Sequence, residues 1–552
     1  MSTPETNDAF PVLSDGQFAR LCAYGTPRDV AVGTWLFRAG EATYDLVLID
    51  SGAVDVMRDA TSDAAEAVVA SHGAGRFVGE LNLLTGQATF LSARMSEAGR
   101  VHLVPPEAFR RLMDSDPELS DLILRAFVAR RRFLRDGEAA RSIEILGSDM
   151  SATALALRTY VARQQMPHTW VEIDTPEGAA LARAVAADAA DLPVVITPTV
   201  VLRNATPGEL AERLGLSYRP IDGEVLDLVV VGAGPAGLAA AVYGASEGLK
   251  TLLLDAVAAG GQAAASSRIE NYLGFTSGIS GAELTGRAAV QAQKFGARIA
   301  SPCRVTRLDT SGDHLRVVLA DDTVIAARAV VVATGAAYRS LPLARWADFE
   351  GAGIFYAATE LEARSCGPNP VAVVGGANSA GQAALYLAGR GSPVTLIVRG
   401  DDLAAGMSAY LADRIVAHPN VTVRTSAEVT GLHGGTSLEA ITVRDRSTDA
   451  DTEHPCRGLF CFIGAVPATD WLDGIAVDDH GFVYTDTQLD DASLGTTWSD
   501  LGRRPLPFET SEPRVFATGD VRSGSMKRVA AAVGEGASAV RSVHAALGSA
   551  GV

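Results

Sequence analysis

Two loops of small residues lie about one domain apart, and both have the composition that binding a dinucleotide demands. The first reads Val229-Val230-Val231-Gly232-Ala233-Gly234-Pro235-Ala236-Gly237, the second Val373-Val374-Gly375-Gly376-Ala377-Asn378-Ser379-Ala380. Each follows a short β-branched run and opens an Ala-rich helical stretch. Small residues let the backbone approach a pyrophosphate, which then rests on the helix N-terminus. Two such loops predict two dinucleotides face to face, one a flavin and one a nicotinamide. Asp255 closes the run Thr251-Leu252-Leu253-Leu254, a little over 20 residues past Gly232, where a carboxylate binds a ribose hydroxyl. At the matching place after the second loop, Leu396-Ile397-Val398 ends in Arg399. An arginine there suits a 2′-phosphate and favours NADP over NAD.

Further strand-to-turn signals surround these loops. Thr334-Gly335 follows the apolar strand Ala329-Val330-Val331-Val332, and Thr518-Gly519-Asp520 follows Val515-Phe516-Ala517. Together with Gly260-Gly261-Gln262, Glu270-Asn271-Tyr272-Leu273-Gly274-Phe275 and Phe462-Ile463-Gly464, they give residues 224–552 a specific resemblance to the low-molecular-weight thioredoxin reductase family. The resemblance implies an FAD domain in two parts, 223–343 and 462–552, with an NADPH domain, 344–461, inserted between them. It implies that Gly261, Gln262, Asn271, Thr334 and Gly335 belong to the FAD site. Gly519 and Asp520 would hold the ribityl and phosphate region, with Lys527, Arg528 and Val529 beside the pyrimidine edge. A homodimer is also implied.

One departure matters most. The family carries a Cys-x-x-Cys pair just before the second loop. The matching stretch is Phe355-Tyr356-Ala357-Ala358-Thr359-Glu360, so Ala357 and Glu360 stand at the cysteine positions. A dithiol relay needs one thiolate to attack and a second thiol to resolve, and neither is present. The nearest thiol, Cys366, is read as lying beyond the end of a helix. It is either an ordinary free cysteine or the seat of a mixed disulfide or flavin adduct.

The first 140 residues read as a separate module. Short strand-like runs, such as Trp35-Leu36-Phe37 and Ala53-Val54-Asp55-Val56, recur between Gly33, Gly40, Gly52 and Gly73. That spacing predicts a small β-roll. A helical segment over 106–135 follows, and its Arg130-Arg131-Arg132 run is read as a solvated helix end complementing the dipole. Phe77-Val78-Gly79-Glu80-Leu81 resembles the phosphate-binding cassette of cyclic-nucleotide-binding domains. The resemblance implies a ligand held by Gly79, Glu80 and Leu81, with Glu80 accepting from a ribose hydroxyl. Thr89 stands where that family places an arginine against the cyclic phosphate, and Arg94 is out of register. The resemblance therefore reaches the fold, and the ligand stays open between a cyclic nucleotide, another small molecule and none.

Residues 141–222 carry a β-α-β-α-β-β-α pattern: a strand at 142–146, helices over 152–164, 178–190 and 207–214, and strands near 168–173, 194–196 and 200–202. The order resembles glutaredoxin-like domains, with Leu192-Pro193 matching their cis-proline turn. Their redox motif would begin just after Gly147, where the chain reads Ser148-Asp149-Met150-Ser151-Ala152-Thr153 without a cysteine.

Composition bounds the remaining possibilities. A chain of 552 residues is too long for one core. A formal charge of −18 argues against nucleic acid or an anionic membrane surface as partner. Five cysteines make no disulfide framework, and His454, Cys456 and Cys461 fit no zinc spacing, so no metal is expected. The polar start Met1–Asp8 has no signal-peptide pattern and no apolar run reaches membrane-span length, so a cytoplasmic place is expected. The whole predicts a multidomain flavoprotein: a β-roll, a glutaredoxin-like α/β domain, and two Rossmann-like domains for FAD and NADPH. Hydride would pass from NADPH to FAD and then to an unidentified acceptor. The alternatives are a ferredoxin- or quinone-type reductase, and a ligand- or redox-responsive flavoprotein sensor. The chain stops soon after its last helix, which counts against the ferredoxin type.

Overall fold

The computed structural model describes residues 8–548, apart from residues 62–63, 136 and 267. Residues 1–7 and 549–552, on which the reading of the two chain ends rests, lie outside the described residues.

The β-roll forms as the glycine spacing predicts. Two antiparallel four-stranded sheets face each other. One holds Thr26–Val30, Gly99–Val104, Leu46–Ile49 and Phe77–Val78; the other holds Trp35–Phe37, Ser92–Glu97, Ala53–Arg58 and Ala67–Gly73. Leu46, Leu48, Ile49, Val54, Phe77 and Met95 fill the space between them. The helical segment after the roll is two helices, Pro106–Ser115 and Pro117–Leu134. Asp116 breaks the run because Pro117 disfavours a helical residue before it, and the Asp116 carboxylate caps the second helix at the Leu119 N–H.

The middle module has strand order Thr169–Glu172, Glu144–Gly147, Val194–Ile196, Val201–Leu202, the first pair parallel and the others antiparallel. Its helices are Ala152–Arg163, Pro176–Ala184 and Pro207–Arg213, and the Leu192–Pro193 peptide is cis. The second helix stops well before 190, because the chain turns left-handed at Ala186 (φ 51°). This module does not stand apart. Phe90, Leu91 and Leu134 of the roll share one core with Ile145, Leu157 and Tyr160, and the Tyr160 hydroxyl donates to the Ser301 carbonyl at 3.2 Å.

Two Rossmann-like units follow. In the first, Arg298–Ala300, Thr251–Leu254, Val225–Val231 and Val324–Val332 run parallel, and Val515–Ala517 joins the last of them. In the second, Ile354–Phe355, Gly458–Cys461, Val371–Val374, Val394–Ile397 and Val421–Arg424 form a parallel sheet. Val515–Ala517 completes the first sheet, so the chain leaves that unit and returns to it after the second. The chain crosses between units along paired strands Ala336–Tyr338 and Ala465–Pro467.

Glycine sets the closest contact in the first unit. The helices Pro235–Ser246 and Val529–Leu547 touch backbone to backbone, and a Cβ on Gly536 would lie 2.0 Å from the Ala236 carbonyl oxygen. Gly536→Ala must therefore push the helices apart. The gain in helix propensity is about 1 kcal/mol, whereas forced overpacking costs about 1–3 kcal/mol; with a backbone oxygen at 2.0 Å the upper end applies, so the net loss is about 2 kcal/mol. The thermal unfolding midpoint should fall; an unchanged midpoint would contradict the contact.

Candidate functional site

The parallel strands of the first unit end together, with Val231 level with Leu254 and Val332, and Val332 level with Ala517. A cleft of about 590 Å³ opens at that edge, where open α/β sheets hold ligands. Gly232, Asp255, Gly261, Gln262 and Thr334 line it. Gly232 is left-handed (φ 104°), and a Cβ there would strike the Ala333 carbonyl oxygen at 2.3 Å. Gly237 leaves no room either, with the Gly232 oxygen 1.8 Å from a would-be Cβ, whereas Gly234 has nothing nearer than 4.0 Å. The turn is thus closed towards its own sheet and open along Gly234.

Asp255 does more than its spacing foretold. Its carboxylate accepts the Ala233 N–H at 2.8 Å and the Val257 and Ala258 N–H groups at 2.9 and 3.0 Å. It ties the glycine loop to the chain beyond the second strand while lining the cleft. Burial pushes its pKa above the usual carboxylate value, against those three hydrogen bonds. Thr334 donates to the Ala468 carbonyl at 2.8 Å, and the Gln262 amide donates to the Ala336 carbonyl. The Gly519 N–H reaches Glu535 at 2.7 Å, and Glu535 pairs with Arg522 at 2.8 Å. Asp520 is raised by burial, with Lys527 opposing. Asn271 is exposed, Lys527 lies over the Phe482 ring, and Arg528 and Val529 cap and open the last helix; none of them lines the cleft.

The second loop is built alike. Gly375 (φ 143°) would meet the Phe462 carbonyl with any Cβ, and the helix Asn378–Gly389 starts directly after Ala377. Ala377 and Ser379 are exposed and Gly376 is half-buried, while Ala380 is buried. The Asn378 side chain accepts the Ser408 N–H at 2.8 Å, fixing the neighbouring loop. Arg399 is exposed; its carbonyl accepts from Arg446, and its guanidinium engages no described residue. Between the units, the rings of Tyr338 and Tyr356 stack at 5.6 Å with 3° between planes. Ala357, next to that stack, lines the cleft.

In the roll, the cassette is closed by its own side chains. Arg131 makes a two-pronged ion pair with Glu80, one contact at 2.7 Å, so Glu80 does not face a free ribose site. The Tyr44 hydroxyl accepts the Glu80 N–H at 3.0 Å and donates to Asn82 at 2.6 Å. Arg130 donates to the carbonyls of Phe77, Gly79 and Ala9. The cavity left beside Gly79 and Glu80 is about 50 Å³, far below what nucleotide-sized ligands occupy. The reading of the arginine run as a solvated helix end is overturned for its first two members: Arg130 and Arg131 are 4% and 2% exposed. Thr89 donates to the Arg38 carbonyl, and Arg94 lies over the Trp35 ring, away from the cavity.

A family model described as pyridine nucleotide-disulphide oxidoreductase matches residues 226–536, both Rossmann-like units together. The chain belongs to that family. A second model, described as cyclic nucleotide-binding domain, matches residues 27–116 in the roll. Among relatives, thioredoxin reductase of Streptomyces clavuligerus is 33% identical over 318 residues, covering 57% of this chain and 92% of the relative. The 34.2 kDa protein in the rubredoxin operon of Clostridium pasteurianum is 32% identical over 312 residues, covering 56% and 94%. Thioredoxin reductase of T. acidophilum, a solved structure, superposes with a TM-score of 0.51 at 28% identity, covering 59% of this chain and 99% of that one. This is a thioredoxin reductase-like oxidoreductase, and the cofactors of its kind are FAD and NADPH.

For a disulphide oxidoreductase, the thiols decide the chemistry, and here all five are free. Glu360 is 53% exposed and paired with Arg364 at 2.5 Å. Cys366 does not lie beyond a helix: it is the last residue of Glu360–Cys366 and is buried against Gly458. Burial pushes the thiols of Cys366, Cys456 and Cys461 up to about 12. Cys461 ends the strand Gly458–Cys461, and Cys456 lies between that strand and Ala450–Pro455. Cys303, unremarked in the sequence, lines the cleft beside Asp255, with its thiol also raised by burial. A raised thiol pKa leaves almost no thiolate at neutral pH, and the thiolate is the reactive form. Iodoacetamide at pH 8 should therefore spare Cys366 in the native protein and modify it only after denaturation, as read by peptide mass mapping. Native labelling at the rate of a free thiol would contradict this burial.

Proposed function

We propose that this chain is an NADPH-dependent FAD oxidoreductase that delivers electrons to a small acceptor at the flavin, without a dithiol relay. The observation that carries the reading is Ala357 lining the cleft at the position matching the family's first redox cysteine. In this reading Gly232, Gly234 and Gly237 admit the FAD pyrophosphate to the helix N-terminus, and Gly261, Gln262 and Thr334 wall the rest of the cofactor. Asp255 holds the loop in shape and offers what remains of its carboxylate to the ribose. Gly375 to Ala380 hold the NADPH pyrophosphate, and the unengaged Arg399 receives the 2′-phosphate. When bound, the flavin supplies acceptance of a hydride and release of electrons singly or in pairs. The chain's own part is to position both cofactors and shield the cleft, with Tyr338 and Tyr356 stacked at its inter-unit edge.

We read the middle module as glutaredoxin-like, on its strand order, and as inert in thiol chemistry because Ser148–Thr153 holds no cysteine. Among the described residues no helix is long and apolar enough to cross a membrane. A second reading, a flavoprotein whose roll senses a ligand, draws on the Arg132–Glu283 ion pair at 2.6 Å that joins the roll's last helix to the flavin unit. Turnover separates the two readings, since a sensor reduces once and stops.

Steady-state assays with NADPH should show turnover with ferricyanide or a quinone, negligible turnover with thioredoxin, and no change in Cys366→Ser. Robust thioredoxin reduction lost in Cys366→Ser would replace this reading with a monothiol route. For the roll, calorimetry with cyclic AMP should show weak binding or none, because Glu80 and its N–H are already engaged by Arg131 and Tyr44. A submicromolar Kd would show that the Glu80–Arg131 pair opens for the nucleotide.

A further inference from the structure

A second cavity, of about 280 Å³, lies where the roll, the middle module and the flavin unit meet. Its wall carries Arg131, Arg132 and Arg135 from the end of the roll's last helix, Arg163 from the middle module, and Arg287 from the flavin unit. Glu283 is the one carboxylate among the described residues that line it. It shares only Arg163 with the flavin cleft, so it is a separate place.

Arg135 is engaged elsewhere, and for the other arginines the one carboxylate of the wall does not balance the charge. Arg132 and Arg287 both bond to the same Glu283 oxygen, each at 2.6 Å. Arg131 is neutralised behind the wall by Glu80. The Arg163 guanidinium makes no hydrogen bond or ion pair with a described residue, and burial depresses its pKa against the opposing charges of Asp255, Glu362 and Tyr338. Arg132 and Arg287 thus share a single carboxylate, and Arg163 stands beside them with no hydrogen-bonded partner among the described residues. Like charges gathered in a concave, partly desolvated space repel, and the arrangement is stabilised when an anion enters. Guanidinium forks match phosphate oxygens two at a time, better than any point charge. The helix Gly281–Lys294 begins at the cavity with Ser280 as its cap, adding the partial positive charge of its first turn.

We propose that this junction binds a compact phosphorylated small molecule carrying at least two negative charges. Such a ligand takes over Arg132 and Arg287 from Glu283 and gives Arg163 its missing partner. It also touches the two ends of a possible signal: Arg131, which holds Glu80 of the cassette, and Arg163, which reaches the flavin cleft. The site stands independently of which acceptor the flavin serves.

Titration calorimetry of the full-length, FAD-loaded protein with inorganic pyrophosphate tests this. Saturable binding is expected, weakening as ionic strength rises. Glu283→Gln removes the competing carboxylate and should tighten binding severalfold. Arg132→Ala/Arg287→Ala should weaken it at least about tenfold, the loss of one charge-assisted contact. Circular dichroism and flavin content establish that both variants are folded, and Glu283→Gln carries the test if the arginine variant is not. No saturable binding, weaker binding in Glu283→Gln, or undiminished binding in a folded arginine variant would overturn the proposal; the last result would place the anion at another site.

Discussion

Backbone touching backbone at Gly232, Gly237 and Gly536 is the constraint on which the flavin half depends. Those three positions bring a strand end, a crossover helix and the C-terminal helix closer than any side chain would permit. The close approach closes the loop on its sheet side while Gly234 stays open. Asp255 then fixes the loop's angle with three backbone hydrogen bonds. Tyr338, Ala357 and Thr334 line the cleft that opens beside this corner.

Charge plays the equivalent part at the other end of the molecule. Three consecutive arginines do three different jobs because consecutive residues on a helix point about 100° apart. Arg130 turns inward and satisfies three backbone carbonyls, Arg131 clasps Glu80, and Arg132 reaches out to the flavin unit. The roll's cassette and the flavin unit are thereby joined through neighbouring residues of one helix. A buried guanidinium among carbonyls and aromatic rings is costly to desolvate, and breaking such an arrangement leaves an uncompensated charge. This gives the roll a structural reason to keep its cassette shut.

The likeness to thioredoxin reductases therefore concerns the handling of the cofactors more than that of the thiols. The loops, the split first sheet and the crossover strands are all present. In the proposed reading, a small apolar residue and an exposed, ion-paired glutamate stand at the place of the relay. Neither donates electrons, and the one nearby thiol is sealed beneath Gly458. On the proposed function, what survives is a surface suited to direct contact between an acceptor and the flavin edge.

The sequence by itself determined the architecture of the flavin half, the β-roll, the order of the middle module and the missing cysteines. These follow from local rules: a glycine demanded by a positive φ, an alternating strand, a proline that stops a helix. Such rules act over a few residues and are legible in them. Only the tertiary structure decided which charges meet. Glu80 and Arg131 are 51 positions apart, and Arg132 and Glu283 are 151 apart. Nothing in either local sequence announces the other. The same holds for the burial of Arg130 and Cys366, for Cys303 entering the cleft, and for Arg163 standing between two cavities. Burial and electrostatic pairing are properties of distance in space, and the chain sets that distance only after all four modules have packed.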